Sequence, residues 1–487
     1  MNKSILHFNE IGIRNIEKGL KSFMEHPEDL DSFADTVLSA LLSFGLDILK
    51  ESIEDMDKII RESPERKRKW NINRREKTQL LCRLGNLVYE RTLFQNKKDG
   101  SYRYLLDDIM KLEGHERMTP GAEAALLTEA IDSSYRKGGE QVSLTDFVSK
   151  QTVKNKLHGL TVKERLPEIA EKKQVEILYI DADEDHISEQ ILEEREDGKQ
   201  QLVTGNGTII GKIVYLYEGI EPENTQSKRN RLIGKHYFGG VYEGRENEKL
   251  WKEVAEYIEA IYDTKVLKKV YISGDGAEWI KAGKEYIRNS ELVLDRFHLM
   301  KYVNQAVSHL KEGKEREKGR IYEAINGKHK KRLQEIFAVL KGTAESESKK
   351  RAIEDSERYI LNNWRGITIR IKNPDIIGCS AEGHVSHVYS SRMSSRPMGW
   401  SKHGADQMCR LRCYKANGGD ILELVKRQRT IRLEREESPK KENLGLFGTE
   451  FLKTKKNNDY YIEKCQASIA GLTAKKQLWF WSHNFKF

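Results

Sequence analysis

From Val175 onward the chain changes its periodicity in a way that few folds accommodate. VEILYIDAD, TIIGKIVYLYEG and KHYFGGVYEG are apolar stretches of strand length. NEKLWKEVAEYIEAIYD follows with helical spacing, and then LKKVYISGD and ELVLDRF read as strands on either side of a helical GAEWIKAGKEYI. The predicted order is β-β-β-α-β-α-β. Strands joined by short turns pair antiparallel, whereas a strand reached through a helix can lie parallel, so the expected architecture is α/β with one mixed sheet.

That layout predicts an RNase H-like catalytic domain. Acidic residues fall where its strands end: Asp181 and Asp183 in the first, Asp275 after LKKVYISGD, and further along Glu382 in GCSAEGHVSH. Moving a phosphoryl group between oxygens calls for two hard cations about 4 Å apart, held by converging carboxylates. Magnesium takes oxygen ligands and keeps several waters, so three carboxylates suffice, with Asp183, Asp275 and Glu382 as the expected ligands. Asp183 is preferred to Asp181 because the strand runs on through His186 and Ile187, and Asp181 stays open as the alternative. Each acid alone has a plainer explanation. An Asp after a strand caps or turns, and Gly276 after Asp275 makes an Asp-Gly turn the obvious competitor.

Upstream, apolar residues recur at helical spacing between Asn9 and Ile60, predicting two helices. The basic cluster RKRKWNINRR (66–75) precedes a stretch whose alternation and central NKKDGS turn predict a β-hairpin. Helices broken by short polar or glycine segments follow over 119–160. The last, SKQTVKNKLH, exposes Lys150, Gln151, Lys154 and Asn155, side chains that reach base edges and phosphates in a major groove, so a helix-turn-helix stands beside an ordinary polar helix as its reading. Residues 300–363 are helical and strongly basic, a predicted insertion into the sheet domain. One more helix ends at Gly418-Gly419, before a charged tail.

The expected domains are therefore a helical region (1–65), a basic segment and hairpin (66–118), a helix-turn-helix DNA-binding domain (119–170) and the catalytic domain (171–299 and 364–420). The helical insertion (300–363) interrupts the last, and a charged C-terminal tail (421–487) ends the chain.

With 487 residues the chain is too long for one small module. Its net charge of +9 suits a polyanionic partner, although the excess is modest for this length. Five cysteines without a CxxC pair argue against a disulfide framework and for a reduced, cytoplasmic setting, to which a DNA-binding reading adds association with the nucleoid. Cys409 and Cys413 stand one helical turn apart, more simply a helix face than a metal site. No apolar run approaches the roughly 20 residues that span a bilayer, so no membrane association is expected.

The stretch AEGHVSHVYSSRMSSRPMGWSKHGADQM gathers an acid, two histidines, serines and the cations Arg392, Arg396 and Lys402. Arg392 and Arg396, one turn apart, are placed to grip consecutive phosphates. Trp400 reads as a core residue or as a platform for an unpaired base. A zinc site at Glu382, His384 and His387 lacks the usual spacing.

The run GCSAEGHVSHVYSSRMSSRPMGWS, with YIDADEDH, ISGDGAEWI and DRFHLMK, resembles the ISLre-two family of bacterial insertion-sequence transposases, related to the mutator-like DDE group. The resemblance extends from the N-terminal helices to about Gly419. It implies an RNase H-like domain whose DDE triad is Asp183, Asp275 and Glu382, with two magnesium ions for which manganese can substitute. Asp295 and His298 match the DxxH signature, which places His298 near the scissile phosphate, and SKQTVKNKLH matches the helix-turn-helix. The implied partners are DNA, as inverted-repeat element ends and as target, and further copies of the chain in a homodimer or larger assembly. The implied reaction is strand cleavage followed by joining of the 3′ end. A nuclease or resolvase that only cleaves, and a DNA-binding protein with a vestigial site, are the alternatives.

Overall fold

The computed structural model describes residues 2–166, 168–194, 200–203, 207–224, 229–373, 376–396 and 398–436. Pro397 and the tail from residue 437, with Cys465, lie outside the described residues. The chain forms two compact units: of the described residues, 2–129, 135–150 and 425–436 belong to the first, and 130–134 and 151–424 to the second.

In the first unit, helices Asn2–His7 and Ile13–Glu25 join through a π-helical turn at Phe8–Gly12, and α1 spans Leu30–Glu62. Phe8 stacks on Phe44 and Phe23 on Phe33, with ring centres 4.4 and 5.5 Å apart. Asp29 caps α1 by accepting from the Ser32 amide. Where no membrane-length apolar run was expected, α1 contains an 18-residue window of mean hydropathy 1.5, long and apolar enough by length and composition alone to cross a membrane; serines and a glycine interrupt the run without lowering that window further. Toward its C-terminal end, buried Asp57 accepts from the Thr92 amide and hydroxyl at 3.0 and 2.7 Å, which ties the helix to a sheet.

That sheet corrects the hairpin expectation. Strands Trp70–Cys82 and Gly85–Asn96 pair antiparallel as far as Cys82↔Gly85, so Arg83-Leu84 makes the turn and NKKDGS leads into the short strand Tyr102–Arg103. The tight turn is possible because Gly85 takes φ +149°, where a Cβ would meet the Thr145 hydroxyl at 2.2 Å. Helices Pro120–Asp132, Tyr135–Glu140 and α2, Lys150–His158, follow.

The second unit is organised by a five-stranded sheet: β1 (Ile177–Ser188), β2 (Thr208–Tyr217), β3 (His236–Val241), β4 (Lys269–Gly274) and β5 (Ser290–Leu294). Their spatial order is 3-2-1-4-5, with β1, β2 and β3 antiparallel and β4 and β5 parallel to β1. Two short ribbons absent from the expected order, Ile191–Glu194 with Gln200–Val203 and Gly219–Pro222 with Asn230–Ile233, extend the β1–β2 and β2–β3 connections.

Strand alternation sorts β1 into two faces. Leu178, Ile180 and Ala182 enter an apolar core with Val214, Leu216, Val270, Ile272 and the α3 helix (Asn247–Ile261), chiefly its Leu250, Trp251, Val254 and Ile258. Tyr179, Asp181, Asp183 and Asp185 take the other face.

Helices α4 (Arg296–Ala306), α5 (Lys314–Asn326), α6 (Lys330–Gly342), α7 (Glu347–Asn362) and α8 (Trp364–Lys372) form the insertion, around a core of their own that includes Val303, Ile321, Leu333, Phe337, Ile353 and Ile360. They begin at Arg296 and run to Lys372, beyond the expected 300–363 at both ends. α9 (Ala381–Val385) packs against β1, and α10 (Lys402–Ala416) against β2 and β3. Ile421–Glu436, expected to lack pattern, is a helix: Leu424 and Val425 are buried, and buried Arg429 binds the Glu123 carboxylate at 2.7 Å.

Candidate active site

Strand register brings three distant aspartates into one row. Ser273 of β4 faces Asp181 of β1, and Gly274 faces Leu294 of β5. Continuing each pairing past the end of β4 sets Asp275 beside both Asp183 and Asp295. The Asp295 amide donates to the Gly274 carbonyl at 2.8 Å, which fixes the β5 side of the row. Beyond Asp181 the edge of β1 is no longer paired to β4, so Asp183 stands where the two strands part.

Like charges crowd there. Burial pushes the Asp183 carboxyl up to about 6; the Glu184 amide and the His298 ring oppose that rise, while Asp275 and Glu184 add to it. Asp275 forms the Asp-Gly turn: its Oδ1 accepts from the Ala277 amide at 2.8 Å, and Gly276 takes φ +85° against the Asn363 side chain. Its carbonyl accepts from the Tyr359 hydroxyl. Asp295 caps α4 through the Phe297 amide at 3.2 Å and meets His298 Nδ1 at 3.1 Å. The plain capping role of this pair is therefore present. The Asp295 hydrogen bond raises the His298 pKa against burial, and Asp183 and Asp275 raise it further. A cation is what such a row attracts, and oxygen donors suit a hard one.

Asp181 is occupied differently. It is buried and accepts from the Tyr215 hydroxyl at 2.7 Å and the Ser380 amide at 3.2 Å. Burial lifts its carboxyl to about 6, with the Tyr215 and Ser380 hydrogen bonds resisting. Tyr215 also bonds the Ser380 hydroxyl at 2.9 Å, so Asp181 fastens the strand leading into α9 onto the sheet. Asp185 is tied to Ser394 at 2.9 and 3.0 Å. Tyr215, Tyr217 and Ser380 were not singled out from the sequence; the alternating tyrosines of IVYLY, facing the aspartates of the neighbouring strand, were the available signal.

Glu382 lies exposed in the first turn of α9, two residues past the Ser380 anchor. Among the described residues no three His, Cys, Asp or Glu side chains stand close enough together to hold a metal ion, so neither the three expected carboxylates nor the Glu382, His384 and His387 set is assembled at ligating distance. His384 instead packs on Tyr215 and meets the Tyr237 hydroxyl at 2.5 Å, and burial lowers its pKa to about 4.

The expected DNA contacts divide. In α2, Lys150, Gln151, Lys154 and Asn155 are exposed above buried Val153 and Leu157, with Gln151 donating to Asn155 at 2.8 Å. Arg396 is exposed. Arg392 is a correction: it is 5% exposed, donates to the Ala130 carbonyl at 3.2 Å and lies 4.8 Å above the Trp400 ring. It is not available to phosphate, because burial demands partners for its charge and the fold supplies them. Trp400 is a core residue whose indole donates to the Met393 carbonyl at 3.1 Å. Lys402 is exposed and paired with Glu243 at 2.5 Å.

Residues 29–429 match the family model described as "Uncharacterised protein family (UPF0236)". A UPF0236 protein of Caldanaerobacter subterraneus subsp. tengcongensis, whose name joins 11 locus designations, is 42% identical over 380 residues, 78% of this chain and 76% of that one. A second from the same organism, with 4 designations in its name, is 41% identical over the same length. Among solved structures, the Drosophila P element transposase strand transfer complex aligns with 61% of this chain and 79% of that one at 9% identity, with a TM-score of 0.21, too low to bear on the fold. Family-model coverage and identity together establish that the chain belongs to the UPF0236 family.

Proposed function

We propose that this protein is a DNA transposase with an RNase H-like catalytic domain, cleaving strands at the ends of a mobile element and joining the 3′ hydroxyl to target DNA. The main support is the row formed by Asp275 and Asp295, just past the carboxyl ends of the parallel strands β4 and β5, with Asp183 midway along the adjacent β1, in a sheet of order 3-2-1-4-5. Ligand sites in open α/β sheets gather at such strand ends. Glu382 sits on α9, which packs against the central strand β1 that carries Asp183. A relative whose name joins 11 locus designations from one organism fits a gene that multiplies by copying itself.

Asp183, Asp275 and Glu382 are the residues that would hold two magnesium ions. When bound, the ions activate the attacking oxygen and stabilise the leaving one. His298, held by Asp295 and facing the two aspartates, would orient toward a phosphate oxygen or pass a proton to the leaving 3′ oxygen, which becomes the hydroxyl. Exposed Lys150, Gln151, Lys154 and Asn155 would read the element ends, and two copies of the chain would bring paired ends together.

The test is Asp275→Asn and Glu382→Gln, assayed on a precut oligonucleotide end and a plasmid. Each should reduce strand transfer to background while binding to the element end is retained. Full transfer by Glu382→Gln would remove Glu382 from the site, nicking without a joined product would make the protein a nuclease, and reaction without divalent metal would sink the two-ion chemistry.

A further inference from the structure

The helical insertion carries a corner most of whose cations have no ion-pair partner among the described residues. α5 and α6 form a hairpin through Gly327–His329, closed by the Lys328 amide on Ile325 and the His329 amide on Ala324 at 2.9 and 2.8 Å. Leu333, Ile336, Phe337 and Leu340 anchor α6 in the insertion core. Asn326 to Arg332 are all exposed, and they include Lys328, Lys330, Lys331 and Arg332. Arg332 lies 3.5 Å from Glu323, whereas Lys328, Lys330 and Lys331 have no ion-pair partner among the described residues.

Three of these cations occupy the first turn of α6, where the unpaired amides already carry positive charge. His329, at the N-cap, makes no side-chain capping bond. Intramolecular stability would favour acids there, so the arrangement suits an external polyanion. A cleft of about 850 Å³ opens beside the corner, lined by Arg320, His329, Lys330, Lys331, Arg332 and Glu335, together with Ile336 and Val339. No Phe, Tyr or Trp lines it, so it has no platform on which an unpaired base could stack.

We propose that the α5–α6 corner is a second nucleic-acid surface, gripping the phosphate backbone of duplex DNA without reading its sequence. The identity of the polyanion rests on the transposase reading, in which target DNA must be held apart from the element end. The surface lies on a different set of elements from the aspartate row and from α2.

The test is equilibrium binding of full-length protein to a random-sequence duplex across a salt series, without divalent metal. Removing one lysine that neutralises a phosphate lowers the log-log salt slope by about 0.9, so Lys328→Gln/Lys330→Gln/Lys331→Gln should lower it by roughly 2.7. The control Lys318→Gln/Lys349→Gln/Lys350→Gln removes equal charge from lysines paired with Glu315, Glu345 and Glu347, and should change the slope by less than about 1. All six positions are on the insertion surface, and circular dichroism melts check that both triples fold. An unchanged slope in the first triple, an equal fall in the control, or an effect confined to single-stranded RNA overturns the proposal. A wild-type slope near zero on every DNA overturns it together with the transposase reading, whereas failure of the corner alone, with the wild-type slope intact, leaves that reading standing.

Discussion

Beside the carboxyl ends of β4 and β5, aspartates from these strands and from the middle of β1 stand side by side; along residues 380–402, where Glu382 and Arg396 are exposed, most of the other polar side chains pair off. The first region accumulates like charge that nothing internal fully neutralises, since His298 is a single ring facing Asp183, Asp275 and Asp295. The second spends its polar groups on the fold: Ser380 on Asp181, Ser394 on Asp185, Arg392 on Ala130 and Trp400. The contrast separates two uses of charge. A protein interior tolerates a charge when a partner compensates it, so a group left uncompensated at a strand end is the better candidate for an external ligand.

The largest effect that would break this contrast is at Arg392. Arg392→Ala leaves the Ala130 carbonyl without its donor and opens a gap over Trp400, which should cost roughly 2–4 kcal/mol in urea unfolding. DNA affinity, compared at a temperature where the variant is folded, should be unchanged. A variant of wild-type stability with weakened DNA binding would return Arg392 to the phosphate-gripping role its spacing suggested.

Asp181 offers a sharper version. Its carboxyl titrates near 3.8 when unfolded and about 6 when folded, so the folded chain binds more protons between those values. Stability from this group is thus full below about pH 4 and is lost as pH rises through 6. In metal-free buffer, Asp181→Asn should remove a decline on the order of 2–3 kcal/mol across that window, read from urea midpoints at stepped pH. Asn can still offer one oxygen to both Tyr215 and Ser380, which converge on the same carboxylate oxygen. An unaltered pH profile would mean that the charge on Asp181 is compensated after all.

The sheet was legible from the sequence because alternation and strand-end acids are local signals. LYIDADEDH alone fixes which side chains share a face, and the helical spacing of NEKLWKEVAEYIEAIYD fixes where the chain crosses over. What was not legible came from far along the chain. The difference between Asp181 and Asp183 depends on Tyr215 and Ser380, 34 and 199 positions away, and the burial of Arg392 depends on Ala130, 262 positions away. The hairpin turn at Arg83-Leu84 was hidden for the same reason, since Gly85 leaves the space that Thr145, from a distant part of the chain, occupies. NKKDGS carries the stronger local turn chemistry and does make a turn, but between different strands.

Lys402 carries the smallest expected effect and lies on the border between the two uses of charge. Its ammonium is 2.5 Å from Glu243, yet both side chains are more than half exposed, at 51% and 60%. Water screens such a pair, so Lys402→Gln should change unfolding free energy by less than about 1 kcal/mol. An exposed lysine can exchange a carboxylate for a phosphate at little cost, and the same substitution should lower the salt slope of DNA binding by about 0.9. Glu243→Gln, which frees the lysine, should leave that slope unchanged and tighten binding slightly. If Lys402→Gln instead binds DNA with the wild-type slope, Lys402 joins Arg392 among the cations that serve the fold, and Arg396 is the remaining cation of that stretch placed to meet a phosphate.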